Sequence, residues 1–333
     1  MSKSYKPEFI ITIGASAGGL NAMTEVVAQL TEQINAAVFI VLHLSKVGLG
    51  DFLIHRLQKY TDYNCKIARD GEEIESHHIY IAPPDEHLLL IENKMVIGHG
   101  PAENRWRPSI DVLFRSAAAA YGNRVIGIVL TGFLNDGTSG MSAIKRSGGH
   151  CIVQDPNEAE YPDMPLSVLE NMEVDYCVSL RKIGEAIEAI TKSEVSPENI
   201  IPEEVMKEAE IAGRAVTKIE NVAEVGQKSL YACPDCGGGL WNVDTEAIRR
   251  YRCHIGHSYT ENDLLAKQTE SIEATLWVAL RMMEERRTLL IRISQNEASK
   301  GLTRLGLSHK QRAADLEEHI EKLKELLYSA KKD

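Results

Sequence analysis

Short apolar runs alternate with amphipathic stretches over the first half of the chain. Phe9 to Ile13 reads as a strand, Gly19 to Leu30 as a helix, Ala37 to Leu42 as a strand and Asp51 to Tyr60 as a helix. Strands that are apolar throughout, separated by helices of period 3.6, make βαβ units, so a doubly wound α/β fold with a mainly parallel sheet is expected. Ile79 to Ala82 is closed by Pro83-Pro84, and His87 to Ile91 with Lys94 to Gly98 reads as an antiparallel edge hairpin turning at Glu92-Asn93. Ser109 to Ala120 is then helical, Val125 to Leu130 a strand, Ser139 to Arg146 a helix, Cys151 to Val153 a strand and Arg181 to Thr191 a last helix. This first domain is expected to span 1–191.

The pattern then changes. Residues 192–229 are acidic, hold two prolines and few large apolar side chains, and are expected to form a linker with some helix. A small Cys/His knuckle is expected at 230–260 and a helical hairpin or coiled-coil tail at 261–333. The tail carries two heptad-like seams: Ile272, Leu276, Ala279, Met283, Leu290 and Ile293, then Ala313, Leu316, Ile320, Leu323 and Leu327, with the break between Gly301 and Gly306. Such seams also suggest a homo-oligomer through the tail.

Composition narrows the classes. Hydrophobic residues at 44% and charged residues at 26% are ordinary globular usage, and no stretch approaches the ~20 apolar residues of a membrane span. A soluble chain without membrane insertion is expected. The net charge of −11 argues against a nucleic-acid partner, whose phosphates need a basic face. Met1 to Glu8 lacks a signal peptide's apolar segment, so the expected location is cytoplasmic. Cys65, Cys151 and Cys177 are scattered while Cys233, Cys236 and Cys253 cluster, which in a reducing compartment favours a metal over disulfides.

The candidate chemistry starts at Gly14-Ala15-Ser16-Ala17-Gly18-Gly19, a G-x-S-x-G turn between strand and helix. A serine on such a turn is pushed beyond the sheet's carboxyl edge, and the following amide, that of Ala17, can face a developing oxyanion. Two alternatives stand beside this: Ser16 as a helix cap, and a dinucleotide loop, which lacks its middle glycine and its ribose-binding acid, since the second strand ends in Leu42-His43. Ser16 as nucleophile needs a base, and His43 follows the second strand directly. An acid at a third strand end completes a triad; Asp136, in Thr131-Gly132-Phe133-Leu134-Asn135-Asp136-Gly137, fits, although capping the next helix would also explain it. The chain order Ser, His, Asp differs from that of α/β-hydrolases.

These blocks, with Tyr80-Ile81-Ala82-Pro83-Pro84, Arg107-Pro108-Ser109-Ile110-Asp111 and Met164-Pro165, resemble in order the catalytic domain of the CheB family, the protein-glutamate methylesterases of bacterial chemosensory pathways. The resemblance runs from about residue 8 to 191. It implies Ser16 as nucleophile, His43 as general base and Asp136 as orienting acid, with Ala17, Gly18 and Phe133 lining the oxyanion loop. It implies no cofactor for catalysis, a γ-glutamyl methyl ester substrate on a methylated chemoreceptor or related signalling protein, and in some members glutamine deamidation. The chain departs from the best-known members at Ala17, where they have Thr, at Phe133-Leu134, where they have Met-Gly, and at Ser45, where they have Pro. Those members also begin with a receiver domain, whereas this chain starts at the catalytic strand, so control by a receiver in cis is not expected.

In the knuckle, Cys233-Pro234-Asp235-Cys236 precedes three glycines, and sixteen residues separate Cys236 from Cys253, with His257 four positions further on. That spacing suits a tetrahedral zinc held by Cys233, Cys236, Cys253 and His257; His254 adjoins Cys253 and would have to double back. The segment is similar to a C-terminal module of some CheB-like proteins without receivers, in which Cys-Gly-Gly-x-Leu-Trp and a terminal Gly-His recur. Four protein ligands leave no open position, so a structural role is expected, with chelation unfolding the knuckle and sparing the esterase. Two functions follow: an active methylesterase, or a catalytically weak scaffold that works through its knuckle and tail.

Overall fold

The computed structural model describes residues 6–43, 50–195, 198–213, 226–245 and 248–329. The chain divides into two compact units, Met1–Asp263 and Leu264–Asp333. Ser45 and part of the expected linker lie outside the described residues.

The first unit is built on a parallel sheet of seven strands: β1 (Phe9–Ala15), β2 (Ala36–Leu42), β3 (Asn64–Ile67), β4 (His78–Ile81), β7 (Val125–Val129), β8 (His150–Gln154) and β9 (Tyr176–Val178), in the order β3-β4-β2-β1-β7-β8-β9. Its central strands are buried on both faces, which is why they read as unbroken apolar runs. Alternate side chains of β1 and β2 feed two cores. Ile11, Ile13, Val38 and Ile40 pack with α1 (Gly19–Val27), α2 (Gly50–Leu57) and α6 (Ile183–Thr191). Ile10, Phe39 and Val41 pack with α3 (Ile110–Tyr121), α4 (Thr138–Arg146) and α5 (Asp163–Asn171). The sheet is doubly wound, as the alternation predicts.

The hairpin forms at the expected residues, β5 (His87–Ile91) and β6 (Lys94–Gly98), with Ile91 opposite Lys94. It is a two-stranded sheet of its own and not an edge of the parallel sheet. The physical reason is its apolar residues: Leu88, Leu90 and Met95 are buried in the α3 core, so the hairpin serves as a packing layer. Within the acidic segment, Glu203–Gly213 forms a helix, α7, with Val205 and Ile211 buried. The segment expected to be a small knuckle is a folded sheet: β10 (Gln227–Ala232), β11 (Gly239–Thr245), β12 (Ile248–Cys253) and β13 (Ser258–Thr260) form a four-stranded antiparallel sheet.

The second unit is a helical hairpin. Helix α8 (Glu261–Ser299) begins in the first unit and provides most of one arm, and α9 (Thr303–Ser329) is the other. Their seam joins Leu276, Leu280 and Met283 to Leu316, Ile320, Leu323 and Leu327, close to the expected positions, although Ile272 is largely exposed. No helix among the described residues is long and apolar enough to cross a membrane.

Candidate active site

Three strand ends meet at the sheet's carboxyl edge. Strand order reverses about β1, with β2 on one side and β7 on the other, the location where open α/β sheets bind ligands. Ala15 pairs with Leu42, and His43 N–H donates to the Ala15 carbonyl at 3.1 Å, so Ser16 and His43 leave adjacent strands at the same level. From the β7 side, the Thr131 carbonyl accepts the Ser16 amide at 3.0 Å, and the Thr131 hydroxyl donates to the Ala17 carbonyl at 3.1 Å. Gly132 lies so close to the turn that an added Cβ would meet Ser16 Cβ at 2.7 Å and Met164 Sδ at 2.2 Å. Gly18 adopts φ 74°, the left-handed conformation that turns the chain into α1.

His43 Nε2 lies 3.0 Å from Asp136 Oδ2, and both side chains are sealed from solvent. The Asp136 carboxylate also accepts Ile110 N–H at 2.7 Å, Ser109 Oγ–H at 2.9 Å, and Asp111 N–H and Asn104 Nδ2 at 3.2 Å each. Burial alone would raise its pKa; the bonds from His43, the Ile110 amide and the Ser109 hydroxyl outweigh burial and hold it below the usual carboxylate range. Asp136 therefore caps α3, not the helix that follows it. The first turn of α4 is served instead by Asp111, whose Oδ1 accepts the Gly137 and Gly140 amides at 3.0 and 2.6 Å. The two acids cap each other's neighbouring helix. Burial and the Asp136 charge push the Asp111 carboxyl upward, whereas Asp136 is held low.

Ser16 and His43 are not hydrogen-bonded to each other: His43 Nδ1 has no hydrogen-bond partner. A neutral hydroxyl-to-imidazole bond adds little net stability, and such contacts often tighten only with substrate. Ser16 does not cap α1 either, since Gly18 is the cap residue and no side chain bonds there. Ala17 N–H, just ahead of α1, has no acceptor among the described residues. Phe133 lies on the loop between β7 and α4, half exposed, with its ring 4.4 Å from that of Tyr161.

Sequence patterns missed several partners of this site. Trp106 stacks on the His43 ring, centroids 4.1 Å apart and planes 8° apart. Asn104 Nδ2 bridges Asp111 Oδ2, at 2.6 Å, and Asp136. Gln154, at the end of β8, takes the Thr131 amide at 2.9 Å. Only the Arg107-Pro108-Ser109 block hinted at this region.

The four expected metal ligands also come together. One donor atom each from Cys233, Cys236, Cys253 and His257 lies within 4.8 Å of all the others, and His254 is not among them. Cys236 Sγ and Cys253 Sγ are 3.7 Å apart, and Cys253 Sγ is 3.5 Å from His257 Nδ1. Zn–S bonds of ~2.3 Å and a Zn–N bond of ~2.0–2.1 Å in a tetrahedron give edges of about 3.8 and 3.5 Å, so the donors fit zinc.

The family model of CheB methylesterase matches residues 11–187. The chain belongs to the CheB methylesterase family. It is 42% identical over 176 residues to a curated relative from Leptospira interrogans, covering 53% of this chain and 91% of that one. It is 35% identical over 191 residues to the Methanosarcina mazei protein-glutamate methylesterase/protein-glutamine glutaminase 2, covering 55% of this chain and 52% of the relative. The crystal structure of the Thermotoga maritima CheB methylesterase catalytic domain matches with a TM-score of 0.52 at 31% identity, over 55% of this chain and 98% of that one. The CheB match ends before the knuckle and the helical hairpin.

Proposed function

We propose that this CheB-family chain hydrolyses glutamate methyl esters on a protein, using Ser16 as nucleophile, His43 as general base and Asp136 to orient the ring. The observation that carries this is the buried His43–Asp136 pair beside the Ser16 turn. Because Nε2 is committed to Asp136, Nδ1 is the nitrogen available to take the Ser16 proton. Ser16 Oγ then bonds to the ester carbonyl carbon, and the carbonyl oxygen, now an anion, is met by the Ala17 N–H. Collapse breaks the bond to the methoxy group, which leaves as methanol with the proton from His43. Water, deprotonated by His43, attacks the acyl-serine and releases the glutamate carboxylate and free Ser16. Glutamine deamidation would follow the same steps with ammonia as leaving group.

The methylated protein is a chemoreceptor or a related signalling protein, a reading that rests on membership of the CheB family; the names of relatives support glutamate and glutamine side chains of a protein as the substrate. The Cys233, Cys236, Cys253 and His257 set holds one zinc in a structural role, since four protein ligands leave no site for water or substrate. The scaffold alternative draws on the missing Ser16–His43 bond and the exposed Phe133-Leu134 loop. Mass spectrometry of a methylated receptor after incubation separates the two: the esterase removes one CH2 of mass per modified glutamate, and the scaffold leaves the mass unchanged.

A further inference from the structure

We propose that the Cys/His module clamps the active site: through Arg252 and the Ser258 carbonyl it fixes the Glu103–Trp106 turn, whose Asn104 and Trp106 hold Asp136 and His43 in working orientation. The proposal rests on the esterase function given above. Glu103 and Trp106 close a tight turn, with Trp106 N–H donating to the Glu103 carbonyl at 2.9 Å and Glu103 N–H to the Trp106 carbonyl at 3.2 Å. Its central residues, Asn104 and Arg105, have φ 48° and 72°. Two consecutive non-glycine residues in the left-handed region are costly, and such backbone persists only where the surroundings hold it.

The holds come from two directions. Buried Glu103 lies between two guanidinium groups, Arg115 on α3 and Arg252 on β12, and pairs with both. Asn104 N–H donates to the Ser258 carbonyl of β13 at 2.9 Å. Arg252 immediately precedes the ligand Cys253, whose amide donates to the His257 carbonyl at 3.0 Å, so the cluster sets where Arg252 stands. A second contact reaches the other side of the acid: Asn135, which precedes Asp136, donates through Nδ2 to Thr260 Oγ1 at 2.9 Å. On the same face, Arg250 Nη2 reaches both carboxylate oxygens of Glu208 on α7 at 2.8 Å. A surface linker needs none of this. Buried charge pairs are weak evidence for stability but strong constraints on geometry, and here both ends of the turn lead to triad side chains.

The test uses the full chain. Arg252→Met removes the module's grip while Arg115 still pairs Glu103, and Asn104→Gly removes the amide facing Asp136 while keeping a residue that accepts positive φ. Methanol release from a methylated receptor is expected to show kcat lower by roughly 10- to 100-fold in each variant, with KM within about twofold of native. The double variant is expected to lose no more than the worse single one. Arg252→Lys is expected to restore much of the loss. The proton resonance of the His43 Nε2–H, held by Asp136, should be sharp and protected in the native protein and Arg252→Lys, and broadened or lost in Arg252→Met; this signal reads the clamp independently of turnover. Native kcat in either single variant, additive losses in the double variant, or an unchanged His43 resonance in Arg252→Met overturns the proposal. Absence of methanol release by the native chain with the resonance responding as described would instead overturn the esterase reading and leave the clamp standing.

Discussion

His43 and Asp136 face each other at 3.0 Å inside the protein, and the aspartate is held by four further donors from α3 and the turn before it. Asp136→Asn therefore does two things. It removes the charge that orients His43, and it sets an amide N–H2 against groups that are themselves donors. A turnover loss is expected together with about 1–3 kcal/mol of lost stability, the cost of unsatisfied buried groups; thermal unfolding and methanol release measure the two effects separately.

Ser16→Ala and His43→Ala are expected to cost at least about a thousandfold in kcat each, and their combination no more than either alone, because the residues act as one unit. Losses that add in the double variant would contradict a shared mechanism.

Gly132→Ala tests the close approach of the β7 loop to the nucleophile turn. The new methyl would press on Ser16 Cβ and Met164 Sδ, and an overpacking cost of roughly 1–3 kcal/mol with reduced turnover is expected. Unchanged melting and kcat would show that the two segments separate freely.

The strand ends were legible in the sequence because β1, β2 and β7 are buried on both faces and so leave unbroken apolar runs. Ser16, His43 and Asp136 each follow such a run. Strands β3 and β9 left no such trace, being short, half-exposed sheet edges. The ion pairs of Glu103, Glu208, Arg250 and Arg252 left no signal in the sequence because the partners lie far apart along the chain: Glu103 and Arg252 are 149 positions apart. Asp111 ends the Arg107-Pro108-Ser109-Ile110-Asp111 motif, but its capping of α4 depends on tertiary packing that no local pattern encodes.

Acid unfolding reads the buried ion network. Burial works to raise the Glu103 pKa, but Arg115 and Arg252 prevail and lower it from 4.5 to about 2. A depressed folded-state pKa gives stability that is complete above the unfolded value and is lost as pH falls through the folded one, here from about pH 4.5 towards pH 2. Glu103→Gln is expected to be less stable at neutral pH by about 3–5 kcal/mol, since two buried guanidinium groups lose their partner, and to show a flatter dependence in that window. An unaltered slope there would mean that Glu103 is not the group titrating.

One zinc per chain is expected by elemental analysis, with substitution of Cys236 or His257 lowering the stoichiometry. Because Arg252 and Ser258 flank the ligands and grip the Glu103–Trp106 turn, removing the metal with a chelator is expected to reduce kcat and broaden the His43 ring signal, where an independent knuckle would leave both unchanged.

Ser16 is expected to be the nucleophile of a protein methylesterase. Methanol released from a methyl-esterified receptor preparation, compared between the native chain and Ser16→Ala, tests it most directly. Steady release by the native protein and background release by the folded variant is the predicted result; equal release from the two, or none from a folded native chain, would contradict it.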